Sequence, residues 1–101
     1  MVKRLELHQK LVDILGSGNV YFQPPSTLIM KYPAIRYKRS DISNTYAENN
    51  VYMQSYHYDL TVIDRDPDSE IVKKISTLPG IKWKQHYTSD NLNHDVFTIY
   101  Y

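Results

Sequence analysis

The chain has 101 residues, a length that fits one small domain, and its 42% hydrophobic and 23% charged residues are globular proportions. A formal net charge of +1 argues against a strong nonspecific pull toward nucleic acid or a membrane surface. The absence of cysteine removes disulfides, thiol catalysis and zinc–thiolate sites together, and it fits a reducing cytoplasm.

Met1-Val2-Lys3-Arg4 leads into alternating apolar and polar residues without a continuous apolar run, so neither a signal peptide nor a membrane-spanning helix is expected. Residues 3–15 read as a helix with Leu7, Leu11, Ile14 and Leu15 on one face, stopped by Gly16-Ser17-Gly18. Val20-Tyr21-Phe22 is a short strand cut by Pro24-Pro25. Residues 28–39 read as a second strand; Pro33 cannot donate to a ladder, so that strand is an edge or is broken there. The run 40–50, "SDISNTYAENN", reads as a polar loop, because Ser, Asn and Asp bond their own backbone. The longest strand follows, from Val51 to Ile63. Tyr56, Tyr58, Leu60 and Val62 share one face and Ser55, His57, Asp59 and Thr61 the other, the alternation of a sheet covered on one side.

"DRDPDSEIVKKISTLPG" holds the second helix: Asp66 suits the cap, Pro67 the first turn, and Asp68 and Glu70 the helix dipole. Ile71, Val72, Ile75 and Leu78 form its apolar face, and Pro79-Gly80 ends it. The next strand places Ile81, Trp83 and Tyr87 on one side and Lys82, Lys84 and His86 on the other. A loop at 88–95 then leads into a last strand, 96–101, with Phe97, Ile99 and Tyr101 on a common face. That strand is expected inside the sheet, pinned by Phe97 and Ile99 beneath the helices. The order α-β-β-β-α-β-β predicts a single two-layer α+β domain over 1–101, with a mainly antiparallel sheet of four to five strands and both helices on one face.

Ten tyrosines stand against two phenylalanines and one tryptophan. An apolar ring with a polar tip suits a protein interface, and tyrosine's strand propensity accounts for the number equally well.

His86, Asp90, His94 and Asp95 have the right chemistry for a divalent ion, but their spacing matches no metal-binding pattern, so neither a metal nor a cofactor is expected. There is no Gly-x-Ser-x-Gly, no phosphate-binding loop and no dinucleotide fingerprint, and Gly16-Ser17-Gly18 follows a helix instead of a strand. His57 and Asp59 lie side by side on an open strand face, where water reaches both, so no catalytic residues are expected. An alternative is a single-stranded nucleic-acid binder, whose open sheet face would show Arg36, Lys38, Lys82, Lys84, His86 and Tyr100. Against it, the element order differs from the β-α-β-β-α-β RNA-binding module and its aromatic motif is absent. From the residues alone, the chain is a small α+β interaction domain.

Four stretches extend this reading: "ILGSGNVYFQPP", "MKYPAIRY", "YDLTVIDRDPDSEIVKKISTLP" and "HYTSDNLNHDVFTIYY". In this order and spacing, over nearly the whole chain, they resemble the tail terminator (tail completion) proteins of long-tailed bacteriophages that infect Gram-positive hosts. The resemblance implies a non-enzymatic virion protein, made in the host bacterial cytoplasm, that forms a homohexameric ring. The ring would sit on the last ring of the major tail tube protein and end its polymerisation. It would also join the head–tail connector or stopper, and let double-stranded DNA pass without binding it specifically. Head–tail joining and stopper proteins of the phage neck are similar in size and class and form the alternative within the virion. The family carries no residue-level binding motif, so the contact residues are expected in the two polar loops. These are Tyr46, Glu48, Asn49 and Asn50 in the first, and Tyr87, Asp90, Asn91, Leu92 and His94 in the second. Leu92, apolar in a polar loop, is expected either to meet a partner or to be exposed.

Overall fold

The computed structural model describes residues 3–25, 31–48 and 50–101, and side chains among them outside 3, 45–47 and 50–55. The elements are α1 (Lys3–Leu15), β1 (Val20–Phe22), β2 (Ala34–Ala47), β3 (Asn50–Asp64), α2 (Glu70–Ile75), β4 (Ile81–Ser89) and β5 (Leu92–Tyr100), which is the expected α+β order. They form one five-stranded sheet in the order β1-β2-β3-β5-β4. β1 pairs parallel with β2 and every other pair is antiparallel. β5 therefore lies between β3 and β4, the interior position expected for it.

The two helices cover one face. Leu7 and Leu11, one turn apart on α1, are fully buried with Ile75 of α2 against Ile35, Tyr37, Tyr58, Leu60, Val62, Phe97 and Ile99 of the sheet. Each such side chain contributes about 1.5–3 kcal/mol by leaving water. Gly16 ends α1 at φ 78, its N–H bonded to the Val12 carbonyl, as a left-handed C-terminal cap requires.

The second helix is shorter than the sequence suggests, and its cap differs. Ser69 is the N-cap, its hydroxyl accepting from the Ile71 N–H at 3.2 Å. Asp64 and Asp66 instead accept from the N–H of Asp66 and Asp68, making two successive turns closed by their own side chains. At the far end the Ser76 and Thr77 hydroxyls donate to the carbonyls of Lys73 and Lys74, both at 2.7 Å. The helix stops there, ahead of Pro79.

The largest correction concerns residues 40–50. β2 begins at Ala34, directly after Pro33, and continues through the expected loop to Ala47. Residues 28–30 of the expected strand lie outside the described ones. From Ala34↔Ile63 to Ala47↔Asn50, β2 and β3 form one long hairpin with irregularities near Ser40 and Tyr52. Its distal part has no third strand among the described residues, because β1 pairs only with residues 35–37 and β5 only with 57–64. Residues 41–56 thus form a two-stranded arm, and the molecule measures 51 × 26 × 23 Å. Its radius of gyration is 14.8 Å, against about 13 Å for a compact chain of this length.

The expected loop at 88–95 is also mostly strand. Only Asp90 and Asn91 turn, at φ 52 and 62, which is the two-residue turn that suits the strand twist of a hairpin. No helix among the described residues is long and apolar enough to cross a membrane.

Candidate interaction surfaces

The two regions expected to make contacts lie at opposite ends of β3. The β2–β3 turn, with Glu48 exposed at φ 53, is beside the start of β3. The Asp90–Asn91 turn sits beyond its end, where Asp64 pairs with Asn93. Over the 15 residues of β3, a strand rise of about 3.3 Å separates the ends by nearly 50 Å. One partner surface of ordinary size therefore does not span both.

The expected contact residues divide accordingly. Tyr46 and Asn50 are paired strand residues of the arm whose side chains are not described, and Asn49 lies outside the described residues. Asp90 and Asn91 are exposed in the turn. Leu92 and His94 do not project: each is only 9% exposed. The turn takes just two residues, so Leu92 and His94 already alternate along β5 on the same side as Val96, and both are buried there. Tyr87 lies across from His94, and their rings stack at 4.6 Å. The expectation that Leu92 meets a partner or is exposed is thus corrected; its cover comes from its own chain.

A bulge in β4 changes which residues share a face. Trp83 pairs with Phe97, but Gln85 pairs with Val96, so Lys84 is the extra residue. Ile81 and Trp83 stay on the helix side, whereas Tyr87 crosses to the open side, contrary to the regular alternation expected. Trp83 is 52% exposed, its indole N–H donating to Asp95 at 3.3 Å. The same pleat separates two of the side chains weighed as metal ligands. His86 shares a side with Asp95 and contacts Asn93 at 3.1 Å, while His94 lies on the other side against Tyr87. No cluster of three His, Cys, Asp or Glu able to hold a metal occurs among the described residues.

The open side is a shallow trough of about 700 Å³ running from Gln23 and Pro24 after β1 to Lys84, Gln85 and Tyr87 on β4. Strand register sets the open face around it in rows. One row reads Arg36, Thr61, Val96, Gln85; the next reads Lys38, Asp59, Thr98, Lys82. The Thr98 hydroxyl reaches the Asp59 carboxylate at 3.5 Å. At one end His57 meets Tyr100 edge-on with ring centroids 5.0 Å apart. Arg39, also on the lining, holds its guanidinium 5.5 Å from the centre of the Tyr56 ring. Arg36, Lys38, Lys82 and Lys84 are legible in the sequence as a basic open face and Asp59 as an open-face residue of its strand; their adjacency comes from the strand register.

A second polar group lies under α1. The Tyr37 hydroxyl accepts from Arg4 at 3.3 Å and sits 2.7 Å from His8 Nδ1, so its proton is free to bond the imidazole. Burial, then the neighbouring Arg4 charge, lowers the His8 pKa; burial raises that of Tyr37 although Arg4 opposes it. Both groups are thereby held neutral. The arrangement clasps α1 to β2, because Phe22 packs on Tyr37 with centroids 4.9 Å apart and Arg4 lies 4.4 Å from the centre of the Phe22 ring.

The sequence matches no protein-family model, and comparison with curated proteins yields no match.

Proposed function

We propose that this chain is a structural subunit that assembles with copies of itself into a ring, acting as a tail terminator at the head-proximal end of a phage tail tube. The observation that carries the reading is the arm formed by residues 41–56. A two-stranded ribbon standing alone in water is marginally stable, and outer strand edges of this kind are templates for a further strand. Ile42 on this arm is 44% exposed. Such an element gains order by lying on a neighbour, which is what a ring subunit requires. The opposite placement of the two turns supports a head-to-tail contact between unlike surfaces, the geometry that closes rings. The quoted sequence stretches supply the link to phage tails.

In this reading the partners are further copies of the chain, the major tail tube protein below and the head–tail connector or stopper above. Electron microscopy of tails made without the protein tests it. Loss of the uniform tail length, restored by supplying the wild-type chain, is the expected result. Tails of normal, uniform length in its absence would remove the terminator reading.

A further inference from the structure

The trough and the turn region at the end of β3 carry opposite charge patterns. Lys38 stands beside Asp59 in the trough with Arg36 and Lys84 flanking them, and Lys82 continues the same row on the open face beyond Thr98. None of these four cations enters an ion pair among the described residues. From the last residue of β3 onward, Asp64, Asp66 and Asp68 alternate with Arg65 and Pro67, and Arg65, Asp66 and Asp68 are exposed. The two side-chain-closed turns fix this loop, and the Asn93 side chain donates to the Arg65 carbonyl at 3.2 Å.

We infer that the basic trough receives the Asp64–Asp68 loop of a second copy of this chain. The inference rests on the ring reading above and names a contact between neighbouring subunits in addition to that of the arm. The three aspartates meet the arginine and lysines, and Arg65 meets Asp59. A polyphosphate backbone, uniformly negative, would leave Asp59 facing like charge; a loop of mixed sign does not. The loop is already rigid, so docking orders little new backbone. It does not serve its own trough: Asp64 lies five residues along β3 from Asp59, about 17 Å away, and no ion pair joins loop to trough among the described residues. The two surfaces are different patches, so each subunit gives a loop to one neighbour and takes a loop from the other. The pairing steers association and weakens as salt rises.

Charge reversal tests this with the full chain. One variant carries Lys38→Glu with Lys84→Glu, the other Asp66→Lys with Asp68→Lys, and circular dichroism checks that each keeps the wild-type fold; Asp68→Lys alone serves if the double loop variant does not. Self-association is read by sedimentation at low salt, at concentrations up to about 1 mM, where weak contacts still register. The wild-type chain associates, and each folded variant alone loses at least about tenfold in affinity. An equimolar mixture of the two regains association, because each reversed trough then faces a reversed loop. A wild-type chain that stays monomeric throughout, variants that associate like wild type, or a mixture that fails to recover would each overturn the inference. So would a labelled single-stranded oligonucleotide that binds wild type but not the trough variant, with no recovery in the mixture; that result gives the trough to nucleic acid. Uniform tails without the protein, alongside recovery in the mixture, would remove the terminator reading and leave the contact standing. Irregular tails with no recovery would do the reverse.

Discussion

Gly80 and Tyr100 approach each other backbone to backbone. The Tyr100 N–H donates to the Gly80 carbonyl at 3.0 Å, and a Cβ placed on Gly80 would stand 2.7 Å from the Tyr100 carbonyl oxygen. Gly80 also has φ +75, a conformation that costs an L-residue about 1 kcal/mol or more. It joins the end of the α2 segment to β4 exactly where β5 closes the helix-covered face, so the close approach is part of the core's edge. Gly80→Ala is therefore expected to lower stability by at least about 2 kcal/mol, adding a backbone clash to the conformational strain. Gly16→Ala is the control: φ is +78 there, but nothing lies within 4 Å. Denaturant titration of both variants checks the difference, and equal losses would show that the approach to Tyr100 does not matter.

The His8–Tyr37 contact predicts a pH dependence. His8 is held neutral in the fold, by burial first and by Arg4 second, so its folded pKa lies below the unfolded value of about 6.5. The unfolded chain then binds more protons than the native one as pH falls below about 6.5, and stability rises with pH through that window. On acidification from pH 7, the unfolding midpoint should fall more for wild type than for His8→Gln, which keeps a polar group beside Tyr37 without titrating. Parallel pH profiles for the two proteins would sever this link.

The parts of the fold that were legible in the sequence are those where burial writes a periodic pattern. Tyr58, Leu60 and Val62 alternate on β3, and Leu7 and Leu11 repeat on α1, because each sits over the common core. The arm was illegible for the opposite reason. Ser40, Asp41, Ser43 and Asn44 are exposed on β2, so no buried face leaves a signal, and local turn preference was the only cue. Pairing with β3 overrode it, as strand propensity depends strongly on context. The bulge at Lys84 and the choice of Ser69 over Asp66 as cap turn on one-residue geometry, which several nearby polar residues could have satisfied. Of the site, the cations of the open face were visible as alternating positions. Leu92 and His94 were assigned to a loop because Asp90, Asn91 and Asn93 mask how short the turn is.

That short turn yields a third prediction. Asn91 at φ 62 occupies a conformation that glycine adopts without penalty, so Asn91→Gly should leave stability unchanged or raise it by about 0.5 kcal/mol. Leu92→Asp should instead cost about 2 kcal/mol or more, since it places a carboxylate at a position only 9% exposed. Thermal melts of the two single variants decide it. If Leu92→Asp melts like wild type, Leu92 is not part of the packed face and its original assignment to a contact surface returns.

The arm separates folding from assembly. Ile42 faces Tyr56 across the hairpin, so replacing residues 43–55 by Asn-Gly rejoins the strands through a two-residue turn. Every residue of the helix-covered buried cluster lies outside the excised segment, and an isolated ribbon contributes little on its own. The trimmed chain should therefore stay folded, within about 1 kcal/mol of wild type. Its radius of gyration should fall from 14.8 Å toward about 13 Å by small-angle scattering. It should fail to restore uniform tail length when supplied in place of the wild-type protein, because one of the surfaces that meet a neighbour, the arm, has been removed while the rest of the domain persists. A trimmed chain that folds and still sets tail length would show that the arm is dispensable, and with it the observation on which the ring reading stands.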